Sequence, residues 1–280
     1  MWNRQAFRAL VHPPLVGMVH LPALPGSPGW DGDWRRVRRA VLADVQALVS
    51  GGLQAAMVEN YHDVPFHPAE VPPATIASMA MLVAEIRREF PDLVLGVNVL
   101  RNDAEAALAI AEASGARFIR VNVHVGAAVT DQGLVAGQAH RTLRLRRELA
   151  SGVAIMADLR VKHARPLVER PPEEEGSDLR RRGLADAIIV TGAATGEPAD
   201  PRQLACLRSV LPDCPLLVGS GVTADNIATF WPAADGFIVG TALQRGGSGG
   251  LVQPAAVAQL VSCLERLQTE PSAADRKEPE

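Results

Sequence analysis

The chain has 280 residues, 48% of them hydrophobic, with a formal net charge of -3 and a pI near 6.2. That length matches the roughly 250 residues of one (β/α)8 domain, and the mildly acidic balance excludes a global electrostatic pull toward nucleic acid. Three scattered cysteines without a C-x-x-C (Cys206, Cys214 and Cys263) exclude a disulfide framework and a cysteine zinc site, and no apolar run reaches the roughly 18 residues of a membrane span.

Strand-like and helix-like segments alternate along the chain. Residues 1–14 form an extension in which 2–10 is a short helix across the barrel bottom; no apolar leader precedes Pro13-Pro14. Residues 15–19 are the first strand. Trp34, Val37, Val41, Val45 and Leu48 follow at helical spacing, with Asp31 or Asp33 as N-cap and Gly51-Gly52 as stop. Residues 54–58 give the second strand and 75–89 its helix. The third strand spans 93–99, and Asp103 caps the helix ending near Gly115. The fourth spans 117–123 and leads into a long polar loop and a helix near 138–150. Residues 153–157 are the fifth strand; a charged helix near 172–182 is weakened by Gly176. Residues 186–190 and a helix over 201–210 form the sixth unit. In 215–243, two short apolar strands end in Gly219-Ser220-Gly221 and Gly240-Thr241, and 255–267 closes the ring. Residues 246–250, GGSGG, read as a mobile loop, and 269–280 as a disordered tail.

Eight βα units predict a single (β/α)8 TIM barrel over residues 1–268. The runner-up, an open doubly wound sheet, lacks a G-x-G-x-x-G turn after its first strand. The arginine clusters at 35–39, 144–147 and 180–182 fall on predicted helices and are read as solvated outer faces.

In such a barrel the active site lies where the strands end. His20, Glu59, Asn98 and Arg101, Asn122 and His124, Asp158 and Lys162, Thr191 and Ser220 all stand at those ends. The two glycine turns, with Gly219, Ser220, Gly221, Gly240 and Thr241, expose backbone amides suited to a phosphate. Alternation along the fourth strand points Arg120, Asn122 and His124 inward, so Arg120 requires a carboxylate partner, Glu59 or Asp158. Asp158 is read as general base, with His124 as acid or electrophilic stabiliser; His20 and Glu59 are further acid–base candidates. Asn98, Arg101, Arg120, Asn122, Lys162 and Thr191 are read as substrate contacts. Asp63 and Asp131 are loop carboxylates. His62, His67 and Asp63 match no helix-borne metal spacing, and neither a metal nor a cofactor is expected. Residues 192–196 lack the serine of a nucleophile elbow, and Cys214 precedes its strand at the wrong barrel end, so acid–base chemistry is favoured over covalent catalysis.

Several rim segments resemble the BtpA/SgcQ family: GMVHLPALPGSP at 17–28, ENYHDVPF at 59–66, GVNVLRND at 96–103, RVNVHVGA at 120–127, TDQGL at 130–134, KHA at 162–164 and VGSGVT at 218–223. The similarity spans about residues 15–243. It implies a TIM barrel. One branch takes its name from a cyanobacterial thylakoid factor tied to photosystem I accumulation, another from a bacterial sugar-utilisation gene cluster, and no reaction follows from membership. Arg160 stands where relatives carry a histidine, which implies a more anionic ligand or different chemistry, and 246–250 departs from a charged segment.

The leading expectation is a cytoplasmic, homo-oligomeric enzyme using acid–base chemistry on a phosphorylated sugar or nucleoside, with no nucleic-acid partner. Isomerisation, lyase chemistry and glycosidic cleavage all suit the rim. The alternatives are a non-catalytic assembly factor at a membrane surface, showing an exposed apolar or basic patch, and a metabolite sensor.

Overall fold

Eight short apolar strands close into a parallel barrel in the computed structural model, which describes residues 1–192, 194 and 196–269. In chain order the barrel strands are β1 (Leu15–His20), β2 (Ala55–Glu59), β3 (Val94–Asn98), β4 (Phe118–Val121), β7 (Ala154–Asp158), β9 (Ala187–Val190), β10 (Leu216–Val218) and β11 (Gly236–Val239). Each pairs with its neighbours in sequence order, and β1 pairs with β11, Leu15 beside Phe237, to close the ring. Three small strands, β5 (Ala127–Thr130), β6 (Gly133–Ala136) and β8 (Ala164–Pro166), form a separate antiparallel sheet, and β12 (Gln244–Arg245) pairs with β13 (Leu251–Val252). The helices are α1 (Arg4–Leu10), α2 (Trp34–Ser50), α3 (Pro73–Glu89), α4 (Ala104–Ser114), α5 (Ala139–Glu148), α6 (Pro172–Arg181), α7 (Pro201–Val210), α8 (Ile227–Phe230) and α9 (Pro254–Thr269). The chain is a (β/α)8 TIM barrel. Among the described residues no helix is long and apolar enough to cross a membrane.

Strand residues are buried on both faces, so the strands read as continuous apolar runs. One apolar cluster fills the barrel, with Val16, Met18, Met57, Phe118, Met156, Ile189 and Leu217 among its members. Gly96 belongs there for a steric reason: a Cβ would lie 2.0 Å from the Phe118 ring. A second, larger cluster joins the outer strand faces to the helices. Asp33 caps α2 by accepting from the Arg36 amide, and Asp103 caps α4 by accepting from Ala106. Gly176 lies inside α6 after all, because a Cβ there would meet Leu207 of α7 at 2.4 Å.

Two expectations change. The fourth strand ends at Val121, not 123, and the expected polar loop forms β5 and β6, two strands of the three-stranded sheet, whose turn is closed by Thr130 opposite Gly133. The helix after β10 is only four residues long. The expected tail lies outside the described residues from 270 onward, as do Ala193 and Thr195 of the 192–196 turn.

At the amino-terminal ends of the strands, α1 sends fully buried Phe7 into the inner cluster. Two carboxylates are buried at the same end. Asp235 meets Arg4, Arg8 and Arg208 and accepts from the Leu216 amide. Asp186 meets Arg146 and the amides of Ile155 and Trp2.

Candidate functional site

The barrel register places four polar residues in one row. His20 pairs with Glu59, Glu59 with Asn98, and Asn98 with Arg120, across β1, β2, β3 and β4. Register partners in a sheet project to the same side, so all four enter the barrel just above its apolar filling. Asn98 donates to Glu59 Oε1 at 2.6 Å, and His20 Nε2 lies 3.6 Å from Glu59 Oε2. Asp158, at the end of β7, accepts from Arg120 Nε and Nη2 at 3.0 Å each and from Asn122 Nδ2 at 2.8 Å. Arg120 therefore has the partner its burial demanded, and the attraction of Asp158 and Glu59 outweighs burial to keep it charged.

Above this row opens a cavity of about 430 Å3. His20, Glu59, Arg101, Arg120, Asn122 and Lys162 line it. So do all five glycine-turn residues, Gly219, Ser220, Gly221, Gly240 and Thr241. Among the described residues the amides of Ser220, Gly221, Gly240 and Thr241 donate no hydrogen bond and are available to an anion. Gly219 differs, because its amide donates to Val190 O at 2.8 Å. Its contribution is missing bulk, since a Cβ would lie 2.5 Å from Ile189. Gly221 has φ +63°, and a Cβ there would strike the Pro198 backbone at 2.3 Å. Ser220 Oγ accepts from the Gly192 amide, which leaves its hydroxyl proton free to donate.

His20 is held in one tautomer. Its Nδ1 accepts from the Gly249 amide at 3.2 Å and lies 3.2 Å from Gln244 Nε2, so the proton resides on Nε2, facing Glu59. The ring stacks on Tyr61 with centroids 4.3 Å apart. Burial lowers its pKa, only partly offset by Glu59, so the neutral imidazole is favoured at pH 7. Lys162 is also pushed down, to about 8, by burial first and then by Arg120. Arg101 donates through Nη2 to the Lys162 carbonyl at 2.5 Å, tying the third and fifth barrel loops together.

Not every expected residue reaches this cavity. Both oxygens of Asp158 are occupied by Arg120 and Asn122, which suits an anchor better than a general base. His124 is buried, with Nε2 2.8 Å from the Gly183 carbonyl, and does not line the cavity. The strand alternation used to place it stops with β4 at Val121. Thr191 donates to the Arg160 carbonyl and, with Asp158, lines a neighbouring cavity of about 740 Å3, while Asn122 lines both. Arg160 is held by both oxygens of Glu175 at 3.0 Å and lines the neighbouring cavity, not this one. Asp63 accepts from the Leu24 amide and from Asn60, as a loop carboxylate would.

The residues that sequence reasoning missed are Tyr61, Gln244 and Gly249, which surround His20. The ENY segment was in view for its resemblance alone. Nothing in a glycine-rich loop announced that one of its amides would cap a histidine more than 200 positions earlier.

The fold resembles that of thiamine phosphate pyrophosphorylase from Pyrococcus furiosus, with TM-score 0.56, 15% identity, and coverage of 90% of this chain and 96% of that one. It likewise resembles phosphoribosyl anthranilate isomerase from Thermus thermophilus, with TM-score 0.55, 11% identity, and coverage of 90% and 98%. Sequence relatives are much nearer. The photosystem I biogenesis protein BtpA of Synechocystis sp. is 43% identical over 93% of this chain and 91% of its own length. An uncharacterized protein of Thermococcus kodakarensis is 48% identical over 84% and 88%. A mitochondrial protein of Caenorhabditis elegans is 34% identical over 84% and 86%. The family model matched at residues 11–266 takes in every strand of the barrel and every residue of the cavity, and the chain belongs to the BtpA family.

Proposed function

We propose that this protein is an enzyme that applies acid–base chemistry to a small phosphorylated metabolite. One observation carries the reading: unsatisfied amides of two adjacent loops and the His20–Glu59 pair line a single cavity of about 430 Å3, enough for a sugar-phosphate-sized molecule. The phosphate rests on the Ser220–Gly221 and Gly240–Thr241 amides. The reacting end faces β1 and β2, where Glu59 removes a proton and the Nε2–H of neutral His20 donates to the oxygen that gains charge. Asn98 orients Glu59, and Gly249 fixes the tautomer of His20. Arg101 and Lys162 lie on the wall where negative charge develops. Asp158 holds Arg120 and Asn122 in place, so the base role passes from Asp158 to Glu59. Isomerisation or lyase chemistry fits this arrangement. The names of several proteins sharing the fold, which mention thiamine phosphate, phosphoribosyl anthranilate and 3-keto-L-gulonate 6-phosphate, support a phosphorylated ligand.

The test is a 31P NMR titration with inorganic phosphate and ribose 5-phosphate. Wild type should bind both, and Gly221→Ala should weaken binding at least about tenfold by forcing the loop off Pro198. Absence of binding to wild type, or equal binding by the variant, would overturn the reading.

A second reading, an assembly factor without catalysis, has its own support. The Synechocystis relative is named for photosystem I biogenesis. On the small antiparallel sheet, Val129, Leu134 and Leu167 lie exposed on one face. On this reading Glu59→Gln leaves biological function intact, while charged replacements of Val129 and Leu134 abolish it.

A further inference from the structure

Of the chain's 28 basic side chains, two are lysines: Lys162 and Lys277. Arginine supplies the cation everywhere else, in the α2 cluster, at the barrel bottom and inside the barrel at Arg120. Guanidinium does not lose its proton in a protein, whereas an amine can. A lysine kept at the catalytic end of a barrel otherwise built with arginine marks a place where a neutral amine is useful.

The surroundings of Lys162 agree. Among the described residues its amine makes neither a hydrogen bond nor an ion pair, although Glu59 and Asp158 are near enough to act on it electrostatically. Asp158 is committed to Arg120 and Asn122, and Glu59 gives one oxygen to Asn98, leaving Oε2, 3.6 Å from the neutral His20 ring, as its basic oxygen. Lys162 lines the cavity together with the two glycine turns, and its backbone is pinned by Arg101. Burial and a neighbouring guanidinium are the two devices that turn a lysine into a nucleophile, and both act here, bringing its pKa to about 8.

We propose that Lys162 is a nucleophile whose amine adds to the carbonyl carbon of a phosphorylated aldehyde or ketone to form an iminium. The inference rests on the phosphate-site reading above and names the substrate class. The neutral amine's lone pair forms the C–N bond as the carbonyl π bond breaks, and the oxygen takes the surplus proton of the new ammonium nitrogen to give a carbinolamine. A solvent proton relayed through Glu59 then protonates that hydroxyl, the nitrogen lone pair expels it as water, and a protonated imine and the Glu59 carboxylate remain. The imine draws electrons from the adjacent carbon, which lets Glu59 remove a proton there.

The experiment exposes the full-length protein to glycolaldehyde phosphate and sodium cyanoborohydride at pH 8, followed by intact mass and peptide mapping. Lys277 serves as internal control. A lysine at its ordinary value of 10.5 is on the order of a hundredfold less deprotonated at that pH than one at about 8. Lys162 should be labelled at least about tenfold faster than Lys277. Inorganic phosphate should protect Lys162 and not Lys277, and Lys162→Arg, verified as folded by circular dichroism, should lose the adduct while retaining phosphate binding. If 31P NMR shows phosphate bound but Lys162 is labelled no faster than Lys277, the nucleophile is refuted and the phosphate site stands, with Lys162 a plain cation. If neither phosphate binding nor phosphate-protected labelling is found, both readings fall.

Discussion

The two ends of this barrel bury carboxylates against arginines in similar ways, with different consequences. At the bottom, Asp235 and Asp186 are saturated by arginines and backbone amides, and the packed Phe7 ring fills the space between strands. At the mouth, Asp158 and Arg120 form an equally buried pair, but they stand beside an open cavity whose walls retain unused capacity. Asn122 Oδ1 and Arg101 Nε are buried without partners, four loop amides are free, and the Lys162 amine is unbonded among the described residues. A buried ion pair by itself therefore does not mark a functional site. Unsatisfied polar groups bordering open space do.

The comparison breaks most readily at the two aspartates. Asp158→Ala strands a buried guanidinium and should lose about 3–5 kcal/mol in urea unfolding, whereas Asp235→Ala leaves behind arginines that reach solvent and should lose less. Only Asp158→Ala should also weaken phosphate binding, because it frees Arg120 and Asn122 on the cavity wall. Loss of binding in both variants would erase the distinction between the ends.

Lys162 sharpens it at a smaller scale. Its pKa is about 8 in the folded chain and near its ordinary 10.5 when unfolded. Between those values the unfolded chain holds a proton that the native state has released, so native stability rises with pH, and below about 8 the full penalty applies. Lys162→Met should raise stability at pH 7 by about 3 kcal/mol, and the gain should vanish as pH climbs toward 10.5. A pH-independent gain would mean that burial of the charge is not the cause. No comparable gain should follow from Arg208→Met at the bottom, where the arginine is one of three that neutralise fully buried Asp235.

The smallest effect concerns Gly249. With φ +81° and a Cβ position 2.6 Å from the His62 ring, Gly249→Ala should cost about 1 kcal/mol. It should also move the amide away from His20 Nδ1. The nitrogen-15 shifts of His20 should then report a mixture of tautomers, whereas an unchanged spectrum would show that Gln244 alone fixes the ring.

How much was legible in the sequence follows from which interactions are local. The eight strands, the caps at Asp33 and Asp103, and the stop at Gly115 depend on residues within a few positions of one another, and their patterns could be read directly. The free amides of the glycine turns were legible because exposed amides follow from missing side chains. The partner of Arg120 narrowed to two carboxylates because a buried guanidinium demands one. His124 was misplaced because alternation holds only while a strand lasts, and β4 stops at Val121. The small antiparallel sheet was missed because its strands are three or four residues long and exposed, and so carry little hydrophobic pattern.

By itself, then, the sequence determined the barrel, its family and the set of polar residues at the strand ends, since periodicity and turn chemistry are properties of neighbouring residues. Only the tertiary structure decided which of those residues are spent and which remain available. Register, burial and loop closure bring Asp158 to Arg120, Asn98 to Glu59 and Gly249 to His20 across tens to hundreds of positions, and hydrogen-bond saturation is settled by those distant contacts.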